Sequence, residues 1–172
     1  ACGICNGHGA PAMNFELRAA ALLDKCRASG VKIATAESCT GGMVAALLTT
    51  IAGSSDVFDC GFVTYSNEAK IGMLGVSPDT LSEFGAVSRE CALAMAHGAI
   101  QKSGATLAVS ITGIAGPAGG SAEKPVGLVH FACTRRNGTT LHREERFGDI
   151  GREGVRRASV EVALDLLEAQ LL

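Results

Sequence analysis

The polar residues that could do chemistry in this chain fall into three short segments. The first reads Thr35-Ala36-Glu37-Ser38-Cys39-Thr40-Gly41-Gly42. Ser38 follows a β-prone stretch and precedes an apolar one, so it sits where a strand gives way to a helix. Gly41 and Gly42 let other atoms approach the backbone closely. The start of a helix offers unpaired N–H groups to an anion or an oxyanion. A capping hydroxyl followed by permissive glycines leaves the same pattern, so this segment alone does not separate catalysis from capping. The second segment reads Thr64-Tyr65-Ser66-Asn67-Glu68-Ala69-Lys70. Lys70 is either a solvated helix lysine or a partner of Ser38, and in the second case desolvation would lower its pKa and let it accept a proton. Tyr65 is the only tyrosine of the chain and falls at a strand end. The third segment reads Thr112-Gly113-Ile114-Ala115-Gly116-Pro117-Ala118-Gly119-Gly120, followed by Lys124-Pro125-Val126-Gly127. Dense glycine after a buried strand is how backbone amides come to cradle a phosphate. The segment lacks the terminal Gly-Lys-Ser/Thr of a nucleoside-triphosphate P-loop, and a mobile surface loop would have the same composition.

These segments need strands and helices to hold them, and the rest of the chain supplies both. Phe15, Leu17, Ala20 to Leu23 and Cys26 recur at helical spacing until Ser29-Gly30 stops them. Val31 to Ala36 reads as a strand. Met43 to Ile51 is apolar on nearly all sides and predicts a buried helix. Val57 to Tyr65 reads as a strand, and Ser66 then caps a short helix with Glu68 in its first turn. Ser77-Pro78-Asp79 opens another short helix, and Ser88 caps a longer one that ends near Ser103-Gly104. Ala105 to Ile114 is a continuous apolar run, as in a strand covered on both faces. Val126 to Thr134 and Thr139 to Phe147 flank Asn137-Gly138, a strong hairpin signal, and the second of these strands is polar enough for an edge. Gly151 to Leu172 closes the chain as an amphipathic helix. Helices alternating with strands, then a hairpin, predict an α/β fold: a three-layer α/β/α sandwich with a mixed, mostly parallel sheet. In such sheets ligands sit beyond the carboxyl ends of the strands, where all three polar segments fall.

The bulk numbers bound the function. The length of 172 residues suits one domain, here expected over 13–172, with 1–12 a Gly- and Cys-rich leader or remnant. Apolar residues make up 47% and charged ones 19%, which is globular and not disordered. A net charge of −2 announces neither nucleic acid nor an anionic membrane as a partner. The absence of a long apolar run or signal peptide points to the cytoplasm. The seven cysteines are an odd number scattered in apolar patterns, as free buried thiols are. Cys2 and Cys5 form a C-x-x-C pair with only His8 nearby, too few ligands for zinc. The other histidines, His97, His130 and His142, lie outside the three segments, which leaves a Ser–His–Asp triad without a histidine. No metal and no cofactor is expected.

Taken together and in order, the three segments with Gly85-Ala86-Val87-Ser88 and Lys124-Pro125-Val126-Gly127 closely resemble the CinA C-terminal domain family, whose stand-alone members are nicotinamide-nucleotide amidases. The resemblance runs from about Phe15 to the C-terminus. It departs at Pro117-Ala118-Gly119-Gly120, where the family has a more glycine-rich run. The family's signature before the last helix stands here as Phe147-Gly148-Asp149-Ile150-Gly151-Arg152. The resemblance implies hydrolysis of nicotinamide mononucleotide to nicotinic acid mononucleotide and ammonia, in pyridine-nucleotide salvage. It implies a serine nucleophile assisted by lysine and tyrosine, which fall on Ser38, Lys70 and Tyr65. Glu37, Thr40, Gly41, Gly42, Thr112, Gly113 and Gly116 would contact the substrate, with the phosphate taken by Arg152 or Arg156. The expected partner is a small-molecule nucleotide, and a homo-oligomer is compatible with these features. Two competing readings stand beside it. Cys39 could replace Ser38, because thiolates are strong nucleophiles at helix starts. The domain could also be a non-catalytic nucleotide-binding or regulatory module linked to competence or DNA damage.

Overall fold

The computed structural model describes residues 14–172. Asn14 opens α1 (Phe15–Ala28), its side chain accepting from the amides of Glu16 and Leu17. β1 (Ile33–Glu37) follows and is buried along its whole length. α2 (Met43–Thr50) and a single 3-10 turn, Ser54–Asp56, lead to β2 (Phe58–Val63). Three short helical segments come next. α3 (Asn67–Leu74), α4 (Pro78–Phe84) and α5 (Arg89–Gln101) each begin on a serine, Ser66, Ser77 and Ser88, whose hydroxyl takes an amide of the first turn. β3 (Leu107–Gly113), β4 (Leu128–Arg135) and β5 (Thr140–Arg146) complete the sheet, and α6 (Gly151–Ala169) closes the described chain. Asn137 adopts φ 57° in the β4–β5 turn, a left-handed conformation that asparagine tolerates.

The strand order is β2-β1-β3-β4-β5. β1 runs parallel to β2 and β3, while β4 runs antiparallel to β3 and β5. Four strands therefore point one way and β4 alone is reversed, as the expected mixed, mostly parallel sheet requires. Across the register Glu37 pairs with Val63 on one side and Ile111 on the other. The carboxyl ends of β2, β1 and β3 thus line up, and the three polar segments leave the sheet side by side.

The two faces of the sheet are packed differently. Ile33, Leu107, Val109, Ile111, Val129 and Phe131 meet α1, α2 and α6 in one core. The opposite face presents Ala34, Ala36, Ala108 and Ala132 to α5, itself lined by Ala92, Ala96 and Ala99. Small residues on both sides bring α5 close enough for Ser110 Oγ, in β3, to donate to Ala92 O at 2.6 Å. Gly98 takes the same principle further, since a Cβ there would lie 2.0 Å from the carbonyl oxygen of Leu74 at the end of α3.

One element departs from its reading. α2 is not enclosed: Val44 and Leu48 are buried, but Ala46, Thr49 and Thr50 face out and Met43 and Leu47 are half-buried. An all-apolar pattern cannot show which side has a neighbour, and among the described residues α2 is covered by α1, α6, the sheet and the 3-10 turn after it, on one side. Cys26, Cys39, Cys91 and Cys133 are buried free thiols and Cys60 is half-buried. Cys2, Cys5, His8 and the expected leader lie outside the described residues. Among the described residues no helix is long and apolar enough to cross a membrane.

Candidate active site

Ser38 is the first residue past β1. Its amide donates to Ile111 O at 2.9 Å, and its carbonyl accepts from Gly41 at 3.0 Å, so the chain turns at once. Gly41 and Gly42 hold φ of 59° and 96°, a left-handed pair that any side chain would strain. The turn delivers the chain into α2, whose first amides would otherwise lie bare in the interior.

Glu37 satisfies them. Its carboxylate is wholly buried and accepts from the amides of Gly42 and Val44, each at 3.1 Å, and of Ala45 at 2.9 Å. Two expectations are corrected by this. The start of α2 does not offer these amides to a ligand, because the residue before Ser38 already occupies them. Glu37 is a buried cap for α2 with no surface left for substrate. The Thr40 side chain is likewise wholly buried, so it presents no hydroxyl to a ligand.

Lys70 comes to Ser38 from the other side of β1. β2 ends beside Glu37, Thr64 N donates to Glu37 O at 2.8 Å, and α3 then folds back under its Ser66 cap. Lys70 is 1% exposed, and its Nζ lies 3.0 Å from Ser38 Oγ and 2.9 Å from Thr64 O. No carboxylate pairs with it among the described residues. Burial without a counter-charge pushes its pKa below the usual lysine range, with the thiols of Cys91 and Cys39 opposing weakly. Burial acts in the opposite sense on Cys39, whose thiol is pushed up to about 12. That shift disfavours the thiolate that a cysteine nucleophile at a helix start requires.

Ser38 and Lys70 share a cavity of about 280 Å³ with Cys39, Tyr65, Asn67, the Ala86-Val87 pair, Arg152 and the backbone of Thr112 to Gly116. Thr112 Oγ1 donates to Ala86 O at 2.7 Å and ties this wall to the residues before α5. Gly113 is required by close approach, since a Cβ would lie 2.8 Å from Leu128 O. Tyr65 is 62% exposed, and its hydroxyl accepts from Arg152 Nη2 at 2.8 Å, not from Lys70 or Ser38. Arg152 Nη1 donates in turn to Gly116 O at 2.9 Å. Arg156, one turn further along α6, stays outside the cavity wall and donates to Cys39 O and Thr40 O.

Outside the glycine-rich loop, the expected site residues did not include Asn67, Ala86 and Val87, which line the cavity. A signal was present for the last two: Gly85-Ala86-Val87-Ser88 is one of the segments that carry the family resemblance. A second, larger groove of about 640 Å³ lies between α1, α2 and α6, lined by Phe15, Met43, Leu47 and Val160 and by the charged Arg152, Glu153, Arg156 and Arg157. It contains no nucleophile and shares only Arg152 with the Ser38 cavity. Among the described residues no three His, Cys, Asp or Glu side chains are grouped to hold a metal ion.

Fold and cavity together define an α/β protein with a buried serine–lysine pair at the carboxyl edge of a mixed sheet. The CinA C-terminal domain profile matches residues 16–171, and the chain belongs to that family. It is 53% identical over 147 residues to the nicotinamide-nucleotide amidohydrolase PncC of Escherichia coli (strain K12), covering 85% of this chain and 88% of that protein. A CinA-like protein of Syntrophobacter fumaroxidans is 51% identical over 144 residues, and there the match spans 34% of the relative. The crystal structure of the competence/damage inducible protein CihA from Agrobacterium tumefaciens superposes with a TM-score of 0.89 at 58% identity, covering 90% of this chain and 94% of that one. A CinA superfamily protein from Escherichia coli gives 0.86 at 34% identity over the whole of both chains.

Proposed function

We propose that this chain is an amidohydrolase that converts nicotinamide mononucleotide to nicotinic acid mononucleotide and ammonia, with Ser38 as nucleophile and Lys70 as base. The observation that carries the reading is the buried Lys70 Nζ at 3.0 Å from Ser38 Oγ. A neutral amine has one lone pair and two protons. With one N–H directed at Thr64 O, its lone pair is available to the Ser38 hydroxyl.

Ser38 Oγ attacks the carboxamide carbon as its proton passes to Lys70, giving a tetrahedral oxyanion. The Cys39 amide, next to the nucleophile and donating to no other residue among those described, is the donor we assign to that oxygen. Collapse of the intermediate breaks the C–N bond, and the Lys70 ammonium returns its proton to the leaving ammonia. Water then attacks the acyl-serine as its proton passes to Lys70, and the C–Oγ bond breaks as Lys70 returns that proton to Ser38 Oγ; the product acid leaves and yields its proton to ammonia. Every proton moved starts and ends on Lys70, Ser38, ammonia or water, so the cycle calls on no cofactor.

Tyr65 serves the mouth of the cavity in this reading. Its bond to Arg152 holds a guanidinium, without a carboxylate partner among the described residues, beside the Thr112 to Gly120 loop, where the phosphate of a nucleotide would rest. The similarity to the Escherichia coli amidohydrolase supports the substrate. Ammonia release from nicotinamide mononucleotide by the purified protein, compared with Ser38→Ala, tests the proposal. Stoichiometric ammonia and nicotinic acid mononucleotide are expected from wild type alone. Nucleotide binding without turnover would favour the non-catalytic regulatory module.

A further inference from the structure

Arg152 and Arg156 lie one turn apart on α6 and reach the same end of the sheet, yet they meet different things. Arg152 bonds a tyrosine hydroxyl and a loop carbonyl in the cavity wall. Arg156 sends Nε to Cys39 O at 3.2 Å and Nη2 to Thr40 O at 3.1 Å, and no carboxylate pairs with it among the described residues. We infer that Arg156 is a positioning residue for Ser38, a clamp on the turn behind the nucleophile and not a ligand of the substrate phosphate. The inference rests on the reading of Ser38 as nucleophile.

A peptide unit is planar, so holding its carbonyl oxygen holds the whole unit. The two bonds from Arg156 therefore fix the units joining Cys39 to Thr40 and Thr40 to Gly41. Gly41 N closes on Ser38 O at 3.0 Å, and Met43 N closes on Thr40 O at 3.2 Å. The buried Glu37 carboxylate holds Gly42, Val44 and Ala45. Ser38 is thus the start of a turn gripped between a carboxylate and a guanidinium. The Glu37 grip begins only at Gly42. Of Cys39, Thr40 and Gly41, which join the nucleophile to that anchored helix, Arg156 holds the carbonyls of Cys39 and Thr40. They are followed by two left-handed glycines, where the backbone resists rearrangement least. A nucleophile displaced by about 1 Å loses on the order of a hundredfold in rate.

The test compares Arg156→Ala with Arg152→Ala on nicotinamide mononucleotide and on nicotinamide riboside, which lacks the phosphate. For Arg156→Ala we expect kcat to fall at least about tenfold on both substrates, with KM within about twofold of wild type. Millimolar guanidinium ion should restore part of that rate to Arg156→Ala and none to Arg152→Ala. Arg156→Lys should lose kcat similarly, because a single ammonium cannot span two carbonyls as a planar fork does. Residue-resolved hydrogen exchange supplies a readout that needs no substrate. The amides of Gly41 and Met43 should exchange at least about tenfold faster in Arg156→Ala, while those of β3 keep their protection. A KM increase confined to the phosphate-bearing substrate would make Arg156 a phosphate ligand and overturn the inference. Unchanged exchange at Gly41 and Met43, or full kcat in Arg156→Lys, overturns it as well. If wild type releases no ammonia from the mononucleotide, the amidase reading fails, and the exchange data still decide whether Arg156 clamps the turn.

Discussion

Lys70 Nζ sits 3.0 Å from Ser38 Oγ in a site where the lysine is 1% exposed and its other polar neighbour is the carbonyl of Thr64, 2.9 Å away. A charged ammonium in that position has one carbonyl and one hydroxyl to replace its hydration, and no anion among the described residues. Its pKa is therefore lowered by burial.

The wild-type rate should accordingly rise with pH through an ionisation below the usual lysine range, as the neutral amine becomes populated. Lys70→Arg keeps the cation and removes the base, and should lower kcat at least about a hundredfold. A pH–rate profile of both proteins checks this, and an arginine variant with near-normal turnover would refute Lys70 as base. Stability follows the same shift. Because the folded pKa lies below the unfolded one, the unfolded chain binds the extra proton between the two, so this group's contribution to stability improves as pH rises through that window. Lys70→Met should unfold at a higher temperature than wild type at pH 6, with the difference shrinking towards pH 10.

Ser38→Ala should abolish deamidation and leave the fold intact. Ser38 does not cap α2, so the variant loses one side-chain hydrogen bond, about 1 kcal/mol. Cys39→Ala should keep most of its turnover, because a thiol pushed up to about 12 contributes no thiolate at neutral pH. Single-turnover trapping of an acyl adduct, followed by peptide mass mapping, decides which side chain carries it.

Glu37 is a stability residue whose loss will look catalytic. Glu37→Ala leaves three amides at the start of α2 without acceptors in the interior, and should cost about 3 to 5 kcal/mol. Glu37→Gln retains one acceptor oxygen and should cost less. Urea midpoints for the two variants test the ranking, and a Glu37→Ala protein as stable as wild type would return the residue to the list of substrate ligands.

Gly98→Ala probes the α5 face without touching the site. The added methyl would lie 2.0 Å from Leu74 O, so helix and carbonyl must part at a cost of about 1 to 3 kcal/mol. The urea midpoint should fall, and KM for the mononucleotide should stay unchanged in the folded fraction.

Arg152→Ala should raise KM for nicotinamide mononucleotide at least about tenfold and leave the riboside almost unaffected, since only the first carries the phosphate that the guanidinium would meet. Equal losses on the two substrates would assign Arg152 a role at the reacting amide.

The sequence by itself determined what depends on neighbours along the chain. Ser66, Ser77 and Ser88 are helix caps because a hydroxyl needs only the next two or three amides to act as one. Asn137-Gly138 turns β4 into β5 through its own backbone freedom, and the polar strand after it is an edge strand of the sheet. Loops after apolar strands had to leave the same edge of a largely parallel sheet, and so the three polar segments were recognisable as one site. Tertiary structure decided which atoms meet there. Lys70 reaches Ser38 because β2 pairs parallel to β1 in a register that ends Val63 beside Glu37, and α3 then folds back over the gap. No local pattern encodes that register. The same holds for Glu37, whose spacing from Ala45 resembles no capping motif and whose carboxylate turns inward only because α2 is packed there. Arg152 and Arg156 share a helix face and a residue type. Only the position of the Ser38 turn against α6 sends one to the cavity and the other to the backbone behind the nucleophile. Contacts between segments distant in sequence are chosen by packing the whole sheet at once, and that choice is not written at any one of them.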